Sequence, residues 1–219
     1  KPVLPLAAAT DLLVYASGRT APFEVSDLQL YQGVAVDTPV SIALIAEGDQ
    51  VELRQGADDT LSYRARVTAM GEQPVVPELS KAQEAPTLSL TEFYNEVTFH
   101  GPLLQGIESI DGVGANHVCG TLRVGRPDAW MTQTVREQWR VDPLVFDSAM
   151  QLCAYVAWTR FGRAGTPVGF QRYVQLAPLP ESGRLNAQVV FGEQDGDRFT
   201  ANIAIFEPGT EQPLAIVEE

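Results

Sequence analysis

Val141 to Arg163, which reads VDPLVFDSAMQLCAYVAWTRFGR, constrains this chain more than any other stretch. From Pro143 to Phe161 it is apolar on nearly every side, and Pro143 near its start and Gly162 just past its end are helix punctuation. A helix that is apolar all round is buried all round, so the rest of the chain must be able to wrap it. It is too short and too polar to cross a bilayer, which takes roughly 20 apolar residues. Its polar interruptions are Asp147, Ser148, Gln151 and Thr159. Asp147 and Gln151 stand one helical turn apart and share a face. A buried carboxylate carries a desolvation cost unless something pairs with it. Two readings of Asp147 fit: a satisfied core residue near a helix start, where the dipole favours charge, or a catalytic acid, since carboxylates with shifted pKa values cluster at active sites.

The chain has 219 residues, enough for one large domain or two fused small ones. A net charge of −13 argues against nucleic acid or an anionic membrane as partner, since both call for basic patches. No signal peptide or transmembrane run is present, and the abrupt start at Lys1 suggests a fragment. Cys119 and Cys153 follow no metal-ligand spacing, and a cysteine inside a buried helix is a small core residue, which suggests a reducing cytoplasm. His100 and His117 are the only histidines, so no His-rich metal site is expected.

In chain order, Pro2 to Ser17 reads as a helix, with Pro5 at its start, Gly18 at its end and Leu6, Ala9, Leu12, Leu13 and Ala16 in an apolar stripe. Strand-like runs follow at Phe23 to Val36, Val40 to Ile45, Gln50 to Gln55 and Leu61 to Ala69, with turn signals at Gly48-Asp49 and Ala57-Asp58-Asp59. Gly71 to Leu90 is rich in proline and acids and reads as a linker. Thr91 to His100, Leu103 to Ile110 and His117 to Val124 are strand-like and precede the buried helix. Gly169 to Leu176, Leu185 to Phe191, Phe199 to Phe206 and Leu214 to Val217 are strand-like and follow it, with Asp195-Gly196 as a hairpin signal. The layout of helix and antiparallel meander therefore occurs twice, an α+β arrangement. The division is 1–70, a linker 71–90, and 91–219. The first unit begins almost at its helix, so its opening strands are expected to lie upstream of Lys1.

Three segments resemble the dehydratase domain of polyketide and polyunsaturated fatty-acid synthases. Asp147-Ser148-Ala149-Met150-Gln151 is similar to the family's DxxxQ/H motif. Phe99-His100-Gly101-Pro102-Leu103-Leu104-Gln105 is similar to YGPxFQ, with His100 in the place of Tyr and Leu104 in that of Phe; the FHGP form looks more like the iterative synthases. Lys1-Pro2-Val3-Leu4-Pro5 resembles the tail of HxxxGxxxxP, whose His and Gly would then fall before Lys1. The resemblance implies a double hotdog: two antiparallel sheets, each wrapping a central helix, the first truncated at its N-terminus.

It also implies a reaction, the loss of water from a 3-hydroxyacyl chain on acyl carrier protein. The carrier's phosphopantetheine arm delivers the substrate, and no cofactor or metal is bound directly. Asp147 is the implied catalytic acid, which requires a raised pKa; Phe146, Met150, Leu152 and Tyr155 are candidates for its apolar surroundings. Gln151, His100, Gly101, Pro102, Gln105 and Pro5 are the supporting or substrate residues. His100 is read as filling the structural place of the family's Tyr rather than as the base, because a base must come within about 3 Å of the substrate proton. Arg160 and Arg163 complement the helix dipole or, with Arg172 and Arg184, meet the arm's phosphate. Trp130 and Trp139 line a channel mouth or pack. Partners implied are the carrier protein and neighbouring synthase domains, in the cytoplasm, with a homodimer as the family's habit. Two alternatives stay open: a pseudo-dehydratase serving as structural or docking module, and a product-template-like cyclisation domain.

Overall fold

The computed structural model describes residues 2–78, 84–133, 136–163, 165, 167, 169–196 and 198–218. Residues 79–83 of the expected linker lie outside them. Helix α1 spans Leu6–Ser17, with Pro5 as its extended N-cap and Gly18 closing it at φ 71°. That left-handed backbone is why a glycine stands there. Ala7 to Ala9, Leu13 and Val14 are buried, and so is Asp11. Strands β1 (Phe23–Leu30), β2 (Ile42–Glu47), β3 (Gln50–Gln55) and β4 (Thr60–Ala69) follow. Helix α1 lies against β2, β3 and β4.

Two short helices come next, α2 (Leu90–Glu92) running into a π-turn at Phe93–Val97, and a 3₁₀ turn at Pro102–Leu104. Then come β5 (Ile107–Val113), β6 (His117–Arg123), α3 (Pro127–Trp130), the long α4 (Pro143–Phe161), β7 (Arg172–Gln175), β8 (Arg184–Asp195), β9 (Arg198–Phe206) and β10 (Pro213–Glu218). Helix α4 packs against β6, β8, β9 and α1, which is how a helix apolar all round is satisfied.

All ten strands are antiparallel to their neighbours in one sheet ordered β2-β3-β4-β1-β7-β10-β9-β8-β6-β5. The four strands of the first unit join the six of the second through β1 and β7, in the register Phe23↔Gln175 to Ser26↔Arg172. The two expected sheets are therefore continuous edge to edge. The described part of the linker runs along the second unit: Val75 N–H donates to Glu218 Oε1, Glu84 bridges Val113, and Leu88 exchanges two bonds with the Tyr155 hydroxyl. Among the described residues no helix is long and apolar enough to cross a membrane.

Three strand readings differ from the structure: the run from Phe23 ends at Leu30, the run from Leu103 opens as a 3₁₀ turn and becomes a strand only at Ile107, and the run from Thr91 changes most. Thr91 to His100 is rich in aromatic and β-branched residues, yet its first part is helical. Ser89 and Glu92 form a reciprocal capping box, Glu92 N–H to Ser89 Oγ at 3.2 Å and Ser89 N–H to Glu92 Oε2 at 3.0 Å. That start signal outweighs the strand propensity that follows it. The bond from Thr98 N–H to Phe93 O widens the last turn.

Two buried aspartates fix where α4 begins. Asp11 of α1 accepts from the Arg140 and Val141 N–H groups at 2.9 and 3.1 Å and pairs with Arg136. Asp142 is the N-cap, accepting from Leu144, Val145 and Gly125 N–H at 2.8, 3.1 and 2.6 Å. Burial pushes the Asp142 carboxyl up to about 7 against the pull of those donors.

Removing the Asp11 carboxylate leaves a buried guanidinium and two buried N–H groups without an acceptor. Asp11→Ala is expected to cost about 3–5 kcal/mol in urea unfolding, and Asp11→Asn less, since it keeps one acceptor oxygen. A loss of a few tenths would show the latch to be idle. Asp142 gives a pH signature of defined sign. Its folded value of about 7 lies above the ordinary 3.8. As pH falls from 7 toward 4 the folded protein takes up a proton that the unfolded chain does not. Wild type should therefore gain stability relative to Asp142→Asn over that window, by at most ~1.4 kcal/mol per pH unit, and lose it as pH rises again. A difference independent of pH would refute this.

Candidate active site

The residues that carry chemistry meet where the segment 93–107 passes over the first half of α4. Asp147 and Gln151 share a face, as their spacing requires, and Gln151 Nε2 donates to Asp147 Oδ2 at 2.6 Å. The same nitrogen donates to the Leu104 carbonyl at 2.8 Å. Gln151 Oε1 accepts from the Tyr94 hydroxyl at 3.0 Å, and that hydroxyl accepts from Ile107 N–H at 3.1 Å. His100 Nε2 lies 3.3 Å from Asp147 Oδ2.

Local structure explains how the segment reaches α4. The π-turn sets Phe93 in the core, edge-on to Tyr155 at 5.5 Å, and turns Tyr94 toward Gln151. Gly101 caps the 3₁₀ turn and Pro102 opens it. Gln105 Nε2 then donates to the His100 carbonyl at 3.0 Å, closing the loop on itself. Gly106 permits the approach: a Cβ there would stand 2.3 Å from Ser148 Oγ and 2.7 Å from Leu144 Cδ1. A Cβ at Gly101 would meet nothing within 4 Å, and its φ of −70° suits any residue, so nothing here explains that glycine. Phe99 stacks on the outer side of His100 at 4.7 Å and is itself 80% exposed.

Asp147 is 7% exposed. Burial raises its pKa, against the Gln151 hydrogen bond and the charge of His100, which pull it down. Burial lowers that of His100, opposed by the charge of Asp147. The pair is thus driven toward its neutral form, carboxylic acid beside uncharged imidazole. Burial also pushes the Tyr94 hydroxyl up to about 12, so it stays a donor. A buried carboxyl whose neutral form burial favours, held by an amide, is suited to give a proton to a departing hydroxyl.

The other residues singled out in the sequence lie elsewhere. Pro5 caps α1, its carbonyl accepting from Ala9 N–H. His117 is a buried sheet residue on β6, beside Asn116. Arg172 is held by Glu24 and Glu218, so it is no free phosphate ligand. Arg160 donates to the Gly114 carbonyl and covers the Phe191 ring. Arg184 pairs with Glu108 in an open groove of about 600 Å³ that Arg123 and Arg126 also line. Trp130 and Trp139 pack on each other at 5.9 Å, and Trp139 also packs against Arg136. Among the described residues no group of three His, Cys, Asp or Glu side chains is placed to hold a metal. Tyr94 and Gly106 escaped the sequence reading. Tyr94 was absorbed in a supposed strand, and the capping box before it was the available signal.

Known proteins share this fold. Solved structures similar to the chain include GphF dehydratase 1 (15% identity, TM-score 0.75, 99% of this chain and 82% of that one). The dehydratase domain from the CurF module of curacin polyketide synthase matches at 17% and 0.73, again over 99% and 82%. The dehydratase domain of PpsC from Mycobacterium tuberculosis, solved with C12:1-CoA, matches at 24% and 0.72, over 99% and 82%. These likenesses establish the double hotdog. No curated protein matches the sequence. The family described as the polyketide synthase dehydratase N-terminal domain matches residues 72–216, a span that holds the whole of the Asp147 site, and the chain belongs to that family.

Proposed function

We propose that the domain removes water from 3-hydroxyacyl thioesters presented on the phosphopantetheine arm of an acyl carrier protein, within a multidomain synthase. The single observation that carries this reading is the buried Asp147 carboxyl, raised in pKa and held by Gln151. In the reaction a base takes the proton from the carbon next to the thioester carbonyl. The electrons left behind form the double bond, the carbon–oxygen bond breaks, and the hydroxyl leaves as water with the proton of Asp147. For the base we propose the His that the family resemblance implies, that of the HxxxGxxxxP motif whose tail Lys1-Pro2-Val3-Leu4-Pro5 resembles. Both partners of the reaction are acid–base groups, so the chemistry calls for no cofactor. The meeting of Asp147 with Gln151 and His100, the residues of two family motifs, supports turnover over a purely structural module.

Assays of 3-hydroxyacyl-pantetheine for the unsaturated product test this. Asp147→Asn keeps the shape and loses the acid, so turnover should fall by about 10²–10⁴-fold with the melting temperature little changed. Near-wild-type rates would show Asp147 to be structural. The pH profile adds a sign. The acid works only while protonated, so activity should fall as pH rises through the raised pKa of Asp147. Gln151 holds that value down, so Gln151→Ala should slow turnover yet move the alkaline limb to higher pH. An unmoved limb would mean that Gln151 does not act on the carboxyl.

A further inference from the structure

The hydrogen bonds around Asp147 have directions that the chain itself fixes. At one end stands the Ile107 N–H, which can only donate; at the other stands the Leu104 carbonyl, which can only accept. The Tyr94 oxygen accepts from Ile107, so its own proton is free for Gln151 Oε1. The Gln151 amide is therefore oriented without ambiguity, with its NH₂ toward Leu104 and Asp147. One hydrogen goes to the Leu104 carbonyl and the other to Asp147 Oδ2. When the carboxyl is neutral, Oδ2, which accepts at 2.6 Å, is its carbonyl oxygen, because the hydroxyl oxygen is the weaker acceptor.

We infer that Tyr94 is a positioning residue for the acid. Through Gln151 it makes Oδ2 of Asp147 the acceptor and confines the acid proton to Oδ1. This rests on the dehydratase reading only for the use of that proton. Among the described residues no protein group bonds Oδ1, and it is not among the buried polar atoms left without a partner, so it opens outward from the packed interior. The proton accordingly stands on the accessible side. His100 obeys the same direction. Its Nε2 faces Oδ2 at 3.3 Å, so it carries hydrogen there, since two lone pairs would oppose each other. Its Nδ1 is then bare. That atom is buried with no partner, where a hydrogen would be a donor without an acceptor.

Tyr94→Phe removes the hydroxyl and keeps the ring, freeing the Gln151 amide to turn over. In the natural protein turnover should fall about tenfold at unchanged KM, the size of one hydrogen bond of about 1.4 kcal/mol. The deciding comparison is a double-mutant cycle. If Tyr94 acts through Gln151, the same change in a Gln151→Ala background should cost less than twofold. The same tenfold loss in both backgrounds would overturn the inference, because a packing role for Tyr94 needs no Gln151. A second readout needs no turnover. With only two histidines in the chain, nitrogen NMR of labelled rings, assigned with His117→Gln, reads His100 directly. The expected state is uncharged, with hydrogen on Nε2. A charged ring, or hydrogen on Nδ1, would overturn the proposal whatever the rate. A wild type that fails to dehydrate while showing the expected ring would instead sink the dehydratase reading and leave the role of Oδ2 as acceptor standing.

Discussion

The grip of Asp11 on the Arg140 and Val141 N–H groups is the constraint on which the placement of the site depends. Asp11 belongs to the first unit and α4 to the second. Without that grip the stretch before α4 loses its hold on the first unit, and the helix loses a directional bond at its start. An all-round apolar helix makes a poor key, because turning it exchanges one buried Leu or Val for another. Asp142, which caps the first N–H groups of α4, adds a second directional bond one residue later. Arg136 completes the latch. Its guanidinium lies 4.5 Å from the Tyr15 ring and 4.9 Å from that of Trp139, so its charge is met by a carboxylate and two ring faces. Burial raises the pKa of Asp11, and Arg136 and the two N–H groups oppose it.

Once α4 is fixed in rotation, the covering elements divide its surface. The sheet takes one side through β6, β8 and β9, and α1 takes another. The face that holds Asp147 and Gln151 is left to the segment 93–107, where the covering chain is not a strand. A strand there would spend its N–H and C=O groups on a neighbour. A π-turn, a 3₁₀ turn, a loop and the first residue of β5 leave some of them unspent, and two of these, Leu104 O and Ile107 N–H, are what the site uses.

How much of this stood in the sequence follows from the kind of signal each part carries. The two long helices, the strand order around them and the shared face of Asp147 and Gln151 rest on periodicity and punctuation, which are local. The family motifs pointed to Asp147, Gln151 and the 99–105 loop, and those residues do meet. Asp11, Tyr94 and Gly106 were not legible as site-building residues. Asp11 looked like one polar residue in a helix, because the N–H groups it holds lie more than a hundred residues away. Tyr94 was masked by β propensity, although Ser89 and Glu92 announced a helix start. Gly106 carries a negative φ and marks no turn, so only the approach of α4 shows why it has no side chain. Arg172 failed for the opposite reason: nothing local told that β1 and β10 would bring Glu24 and Glu218 to it.

That close approach at Gly106 bears on how robust the acid is. Side chains that orient a catalytic group can rotate, ionise or flip; a backbone carbonyl and a backbone N–H can do none of these. The Leu104 carbonyl and the Ile107 N–H flank Gly106 on either side, and only a residue without Cβ lets the loop press on Ser148 and Leu144 closely enough for both to reach the Gln151 network. Tyr94 and Gln151 then act as rigid couplers between fixed ends. Burial keeps the Tyr94 hydroxyl protonated up to about 12, and an amide does not titrate. Across the ordinary pH range Asp147 is therefore the titratable member of the chain of bonds from Ile107 to Leu104, while the direction of those bonds is written into the main chain.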